Sequence, residues 1–189
     1  MMNENEDFLE EAGTRGRPMR RRDRELSLTD ALRVVRAAGH AVLSTADSAG
    51  IPYGAPVSPA LDGETKLYFH TTREKSRKAD NMLDSPEVSL CFIAYAKTDV
   101  PAFSVDYASA IVQGRAALVI DEPERHHAMM LIAGRYSDGD ASEKRAADTA
   151  AYWEASGRAV SVWRIDISNV TGKSRGWEKI QAEIAARGF

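Results

Sequence analysis

Residues 67–78 read Leu67-Tyr68-Phe69-His70-Thr71-Thr72-Arg73-Glu74-Lys75-Ser76-Arg77-Lys78, and the character of the chain changes within them. Apolar and aromatic residues suited to a strand lead up to His70. Hydroxyls and four cations then crowd into a turn, and helical periodicity takes over from Ser76 to Asp84, where Ser85-Pro86 stops it. Thr71, Thr72 and Ser76 can donate hydrogen bonds. Arg77 offers a planar fork, Lys78 a point charge, and the start of a helix adds free N–H groups. That set of donors suits a phosphate monoester, although composition alone favours a solvated basic loop.

Upstream, Ser27 followed by Asp30 resembles a capping box, and Leu28, Leu32, Val35 and Ala38 recur at helical spacing before Gly39. A strand is expected at 40–45, ended by the turn residues Asp47-Ser48-Ala49-Gly50. The segment 51–61, IPYGAPVSPAL, holds three prolines, which suit a sheet edge. Asp62-Gly63 turns the chain into the strand Lys66–His70. Downstream, β-rich runs cover 87–95 and 107–120, with Gly114 marking a bulge. Helices are expected over 122–136 and 142–155, a last strand over 158–167, and a closing helix from Trp177. Six short strands without βαβ alternation or internal repeats predict a mainly β fold, an antiparallel β-barrel with peripheral α-helices.

The 189 residues include 25 Lys+Arg against 28 Asp+Glu, a net charge of −3, with 43% hydrophobic and 28% charged residues. This is a globular composition, and disorder of the whole chain is excluded. The length favours one domain, placed at 25–189, with residues 1–24 as a flexible charged arm. Within that arm, TRGRPMRRRDR can contact phosphates, yet no aromatic or helical nucleic-acid module accompanies it and the net charge is negative. Nucleic acid is therefore not the expected partner. The single cysteine, Cys91, lies in the apolar run Val88–Ile93 and reads as a buried, inert thiol. The opening MMNENEDFLEEAG is acidic, and no window approaches 18 apolar residues, so the expectation is a cytoplasmic protein with no membrane partner.

Four motifs fall away. Gly172-Lys173-Ser174 ends like a P-loop, but the position needing Gly holds Ile167. His126-His127 point about 100° apart on a helix, which leaves no metal site. Asp138-Gly139-Asp140 lacks the later ligands of a calcium loop, and no Gly-x-Ser-x-Gly nucleophile turn exists.

A series of motifs then resembles one known group. It runs through Met19-Arg20-Arg21, Gly39–Thr45, Pro52-Tyr53-Gly54-x-Pro56-Val57-Ser58, Leu67–His70, Lys78-x-Asp80-Asn81, Pro86-x-Val88–Phe92, Tyr107-x-Ser109 and Thr171-Gly172-Lys173. In this order, over about residues 19–177, it resembles the 5-nitroimidazole resistance (Nim-type) proteins. These belong to the pyridoxamine 5'-phosphate oxidase-like, FMN-binding split β-barrel superfamily. The resemblance implies an antiparallel split barrel that forms a homodimer, with a flavin in each of two clefts between subunits.

Carried over residue by residue, Ser76, Arg77 and Lys78 would hold the phosphate. Val42, Leu43, Ser44 and Thr45 would lie along the flavin ring, with Phe69, His70 and Thr71 on the neighbouring strand. Ser109 would be a polar contact from the partner subunit, and Lys173 a further cofactor residue. His70 matches the histidine beside cofactor and substrate, so it is the candidate catalytic residue, able to move a proton near neutral pH. The chain departs from many relatives at Thr71-Thr72, and residues 97–106 and 122–156 match little.

The function implied is an FMN-dependent oxidoreductase, nitroreductase-like, reducing a small-molecule electron acceptor such as a nitroaromatic. The alternative is a split-barrel binding protein for flavin (FMN or FAD), deazaflavin or haem without strong catalysis of its own, since one fold hosts many functions.

Overall fold

The computed structural model describes residues 18–72, 75–135, 147, 148, 150, 151, 153–155 and 159–186. After a 3₁₀ turn at Arg22–Arg24 come β1 (Glu25–Leu26), α1 (Leu28–Ala37), β2 (Ala41–Ala46), β3 (Pro52–Val57), β4 (Ala60–Asp62) and β5 (Lys66–Thr72). Then follow α2 (Arg77–Asp84), β6 (Glu87–Asp99), β7 (Ser104–Leu118), α3 (Glu122–Arg135), β8 (Val160–Arg175) and α4 (Trp177–Ala186). The strands form one eight-stranded antiparallel sheet in the order β3-β2-β6-β7-β8-β5-β4, with β1 paired to β8. This is the mainly β, antiparallel architecture with marginal helices that the sequence predicts.

Alternate residues of five strands converge on one core: Leu43 from β2, Leu67 and Phe69 from β5, Leu90 and Phe92 from β6, Val112 from β7, Trp163 and Ile165 from β8. Only a strongly curved sheet can point all of them inward at once. Helices plug what the sheet leaves open, with Val34 and Val35 from α1, Met82 from α2, and Ile180 and Ile184 from α4. α1 begins as expected: Ser27 Oγ accepts from the Asp30 N–H (3.1 Å) and donates to the Asp30 carboxylate (2.9 Å). It ends without using Gly39, because Ala38 caps it in extended backbone.

Eight strands replace the six expected. β1 is two residues long and carries no periodic signal. The segment 51–61 divides at Ser58-Pro59 into β3 and β4, since proline cannot donate to a ladder. β8 continues past Ile167 to Arg175, where outward Asn169 and Thr171 resemble a loop but pair with β7, and Ser168 is the extra residue skipped by the register. Gly114 does mark a bulge: the β7–β8 register shifts at Gln113/Gly114, and a side chain there would run into the Asp166 carbonyl. Of the expected helix over 142–155, residues 147, 148, 150, 151 and 153–155 are described and are helical, while the others lie outside the described residues, as does most of the 1–24 arm. Cys91 is a correction. Leu90 and Phe92 take the inward positions, so Cys91 faces outward and is half-exposed.

Over Leu67–Phe69 β5 is buried on both faces, which is why these residues show no alternation. α3 covers the outer face, packing Ala128, Met129 and Ile132 on Tyr68, Val160 and Val162. A polar cluster holds it there. Tyr68 Oη donates to Glu124 (2.8 Å), and Arg164 donates to both oxygens of the same carboxylate (2.9 and 3.2 Å) and to Asp166. His127 Nε2 meets Asp62 at 3.0 Å, and Arg135 bonds the Val35 and Ala38 carbonyls at the end of α1. Among the described residues no helix is long and apolar enough to cross a membrane.

The hydrogen bond from Arg164 holds the Glu124 carboxyl below its ordinary 4.5, while burial and Glu124 push the Tyr68 hydroxyl up. Glu124→Ala should cost about 1–3 kcal/mol in urea denaturation. Because the Glu124 pKa is depressed on folding, its contribution is complete above 4.5 and fades as pH falls through the folded value. The wild type should therefore lose stability on acidification more steeply than Glu124→Gln.

Candidate functional site

Helix α2 starts with a serine that does not cap it. Ser76 lies in extended backbone (φ −142°, ψ 145°), but its hydroxyl makes no cap hydrogen bond. The Oγ atom is buried and, among the described residues, has no partner. The first intrahelical bond runs from the Asp80 N–H to the Ser76 carbonyl (3.0 Å), so the N–H groups of residues 77–79 have no acceptor within the helix. A buried orphan hydroxyl beside free backbone donors is satisfied by an oxygen-rich anion. Arg77 and Lys78 bring two positive charges to the same turn. Arg77 stacks over the Tyr53 ring, 4.8 Å from its centroid. Stacking engages the guanidinium face and leaves its in-plane N–H groups able to donate. These residues fit a bound phosphate monoester.

α2 is joined to the β2–β3 hairpin through its buried interior. Asn81 Nδ2 donates to Thr45 Oγ1 (2.9 Å), and Thr45 donates to the Tyr53 carbonyl (3.2 Å). Thr45, Ser76, Arg77 and Lys78 therefore share one end of the barrel, which β5 also reaches at Thr71 and Thr72. Leu43 and Phe69 point into the core, fully buried, and Thr71 faces inward with its hydroxyl on the Thr72 carbonyl. Backbone pairing on both sides of Ala41–Ser44 leaves chiefly the Val42 and Ser44 side chains for an outer ligand. Ser44 opens onto a groove of about 410 Å³ with Ser89, Gln113 and Asn169.

A single chain does not gather all the candidates. Val42, Ser109 and Lys173 lie on the outer face of β2-β6-β7-β8. Val42, Cys91, Ile111 and Thr171 stand in one cross-strand row, and Ile93, Ser109 and Lys173 in the next. Val42 (47%), Ile93 (59%) and Ile111 (36%) are exposed there. Ser109 Oγ donates to the Lys173 carbonyl at 3.5 Å. His70 is elsewhere, on the outer face of β5 opposite Val162. Tyr53 and Asn81 belong to the site although the sequence assigned them no role. The available signal was an asparagine beside Met82 on the inward side of a very short helix.

The histidines of α3 serve packing. His126 stands edge-on to Trp153 (6.1 Å), and His127 pairs with Asp62. β5 runs on to Thr72, so His70 lies within the strand and not at its end as the sequence suggested; its side chain is exposed, yet surrounding protein atoms desolvate the ring and lower its pKa from 6.5. His70 is thus a neutral imidazole at pH 7, with one N–H to donate and one nitrogen to accept. Its NMR titration should show a midpoint below 6.5; a midpoint at or above that value would contradict the crowded placement.

No curated protein matches the chain. Among solved structures, one similar fold is a Bacteroides thetaiotaomicron VPI-5482 protein provisionally described as a 5-nitroimidazole antibiotic resistance protein. It is 22% identical, with a TM-score of 0.64, over 79% of this chain and 85% of that one. The flavocytochrome Anf3 of Azotobacter vinelandii is 15% identical (TM-score 0.65; 87% and 75% covered). A FAD-binding protein of Mesorhizobium loti is 22% identical (TM-score 0.59; 81% and 98% covered). At these identities the likeness establishes the fold, a split barrel. Residues 27–174, most of the sheet and the whole of α2, match the family model described as pyridoxamine 5'-phosphate oxidase, and the chain belongs to that family.

Proposed function

We propose that this chain is a flavin-dependent oxidoreductase of the 5-nitroimidazole-resistance type, working as a homodimer that reduces a small acceptor such as a nitroaromatic. The observation that carries the reading is the buried, unpartnered Ser76 hydroxyl at the start of α2. With the adjoining N–H groups, Arg77 and Lys78 it forms a cradle for the phosphate of FMN. Bound flavin supplies the two-electron or one-electron chemistry that no side chain has. The protein's part is to grip, orient and exclude water.

A second copy supplies what one chain separates. The exposed row Val42, Cys91 and Ile111, with Ile93 beside it, is an apolar sheet face of the kind that pairs with its own kind. Pairing through it brings Ser109 and Lys173 to the partner's cleft. His70, neutral and exposed on the outer face of β5, offers an N–H to an acceptor bound there. The same imidazole is also a competent axial ligand, which makes haem the second reading.

The visible spectrum of the purified protein separates the two, flavin bands supporting the proposal and a Soret band the alternative. Arg77→Ala with Lys78→Ala should weaken FMN binding at least tenfold, as charge-assisted bonds are lost. His70→Ala should retain flavin yet slow acceptor reduction; unchanged turnover would remove His70 from the chemistry. Size-exclusion chromatography with light scattering should give twice the chain mass.

A further inference from the structure

The α2 cradle is useful only if its orientation is fixed, and the helix cannot fix itself. It has eight residues, well below the length at which an isolated helix persists in water. Its buried side chains are Met82 and Asn81. Met82 is a flexible apolar filler that tolerates several arrangements. Asn81 is different, because a buried amide that donates to a single acceptor has one good geometry.

Asn81 is 3% exposed and Thr45 5% exposed, and the bonds between them run in one direction. The Asn81 amide donates to Thr45 Oγ1, and the one Thr45 hydroxyl proton goes to the Tyr53 carbonyl. Tyr53 also receives Arg77 on its ring. The helix is therefore tied at two points to one residue of β3, through Asn81 in its second half and through Arg77 in its first turn. Leu83, by contrast, is 63% exposed and holds nothing.

We propose that the Asn81–Thr45–Tyr53 relay is the positioning device of the phosphate cradle and sets the preference of this site for a phosphorylated flavin over the unphosphorylated one. The inference rests on the flavin reading above. Thr45 and Asn81 touch no phosphate themselves, and the Thr45 side chain, buried with its hydroxyl between Asn81 and Tyr53, is not available to the flavin ring along which the resemblance placed it. They act by holding Ser76, Arg77 and the free N–H groups at a set angle to the β2–β3 hairpin.

The test measures dissociation constants of FMN and riboflavin, together with thermal melting, for the wild type, Thr45→Val and Thr45→Ser. Valine keeps the shape and removes both bonds; serine restores the hydroxyl. The wild type should prefer FMN. Thr45→Val should lose about tenfold in FMN affinity, the value of one to two hydrogen bonds, with riboflavin affinity within about twofold of wild type. Thr45→Ser should recover the FMN preference. Equal losses for both flavins, or no loss for FMN, in a variant that still melts cooperatively would overturn the relay and leave the cofactor reading intact. A wild type that binds both flavins alike would overturn the phosphate cradle, and the relay with it. Should Thr45→Val fail to melt cooperatively, Asn81→Leu is measured instead: it removes the amide donor without adding charge and must show the same selective loss.

Discussion

A hydroxyl buried without a partner costs free energy, and the start of α2 holds one. Ser76 stands in the place where a helix normally receives a cap, in suitable extended backbone, yet gives no cap. The N–H groups of residues 77–79 have no acceptor within the helix, and Arg77 and Lys78 bring two cations to the same turn. A protein seldom leaves a buried hydroxyl uncompensated unless something else completes it. The same turn is also where β5 hands over to a helix, so the local demand for donors and the change in periodicity have one location.

The two faces of the sheet divide the labour. Inward residues of β2, β5, β6, β7 and β8 form one core, and that core makes the barrel a rigid frame. Outward residues meet three different fates. Over β5 and the start of β8 they are covered by α3 and sealed with the Tyr68–Glu124–Arg164 cluster. Over β2, β6 and β7 they remain exposed, with Val42, Ile93 and Ile111 among them. At the barrel end they give way to α2.

Much of the fold was legible because it rests on local rules. The Ser27–Asp30 cap, the prolines of edge strand β3, the bulge at Gly114 and the strand-to-helix change between His70 and Ser76 all follow from neighbours in sequence, although β5 itself runs two residues further, to Thr72. The misreadings share a cause as well. β1 is too short to show a period, and the polar outward residues of the second half of β8 hid a strand that its partner β7 stabilises. Cys91 was read as buried from the hydrophobicity of its run, which cannot say which of two faces a given residue takes. For the candidate site, Ser76, Arg77 and Lys78 were visible from donor chemistry and family resemblance. Tyr53 and Asn81 were not, because their parts depend on three elements meeting.

By itself the sequence determined the kind of object: an antiparallel β protein with helices at its margins, and a phosphate-suited turn after Phe69. Those properties come from alternation, capping and donor type, which act over a few residues. Only the tertiary structure decided that Ser76 Oγ is left without a partner, that Arg77 lies on Tyr53, and that Val42, Cys91 and Ile111 line up on an open face. Burial and orphaned hydrogen bonds are properties of enclosure, set by which distant segments close over a group, and no stretch of chain carries that information alone.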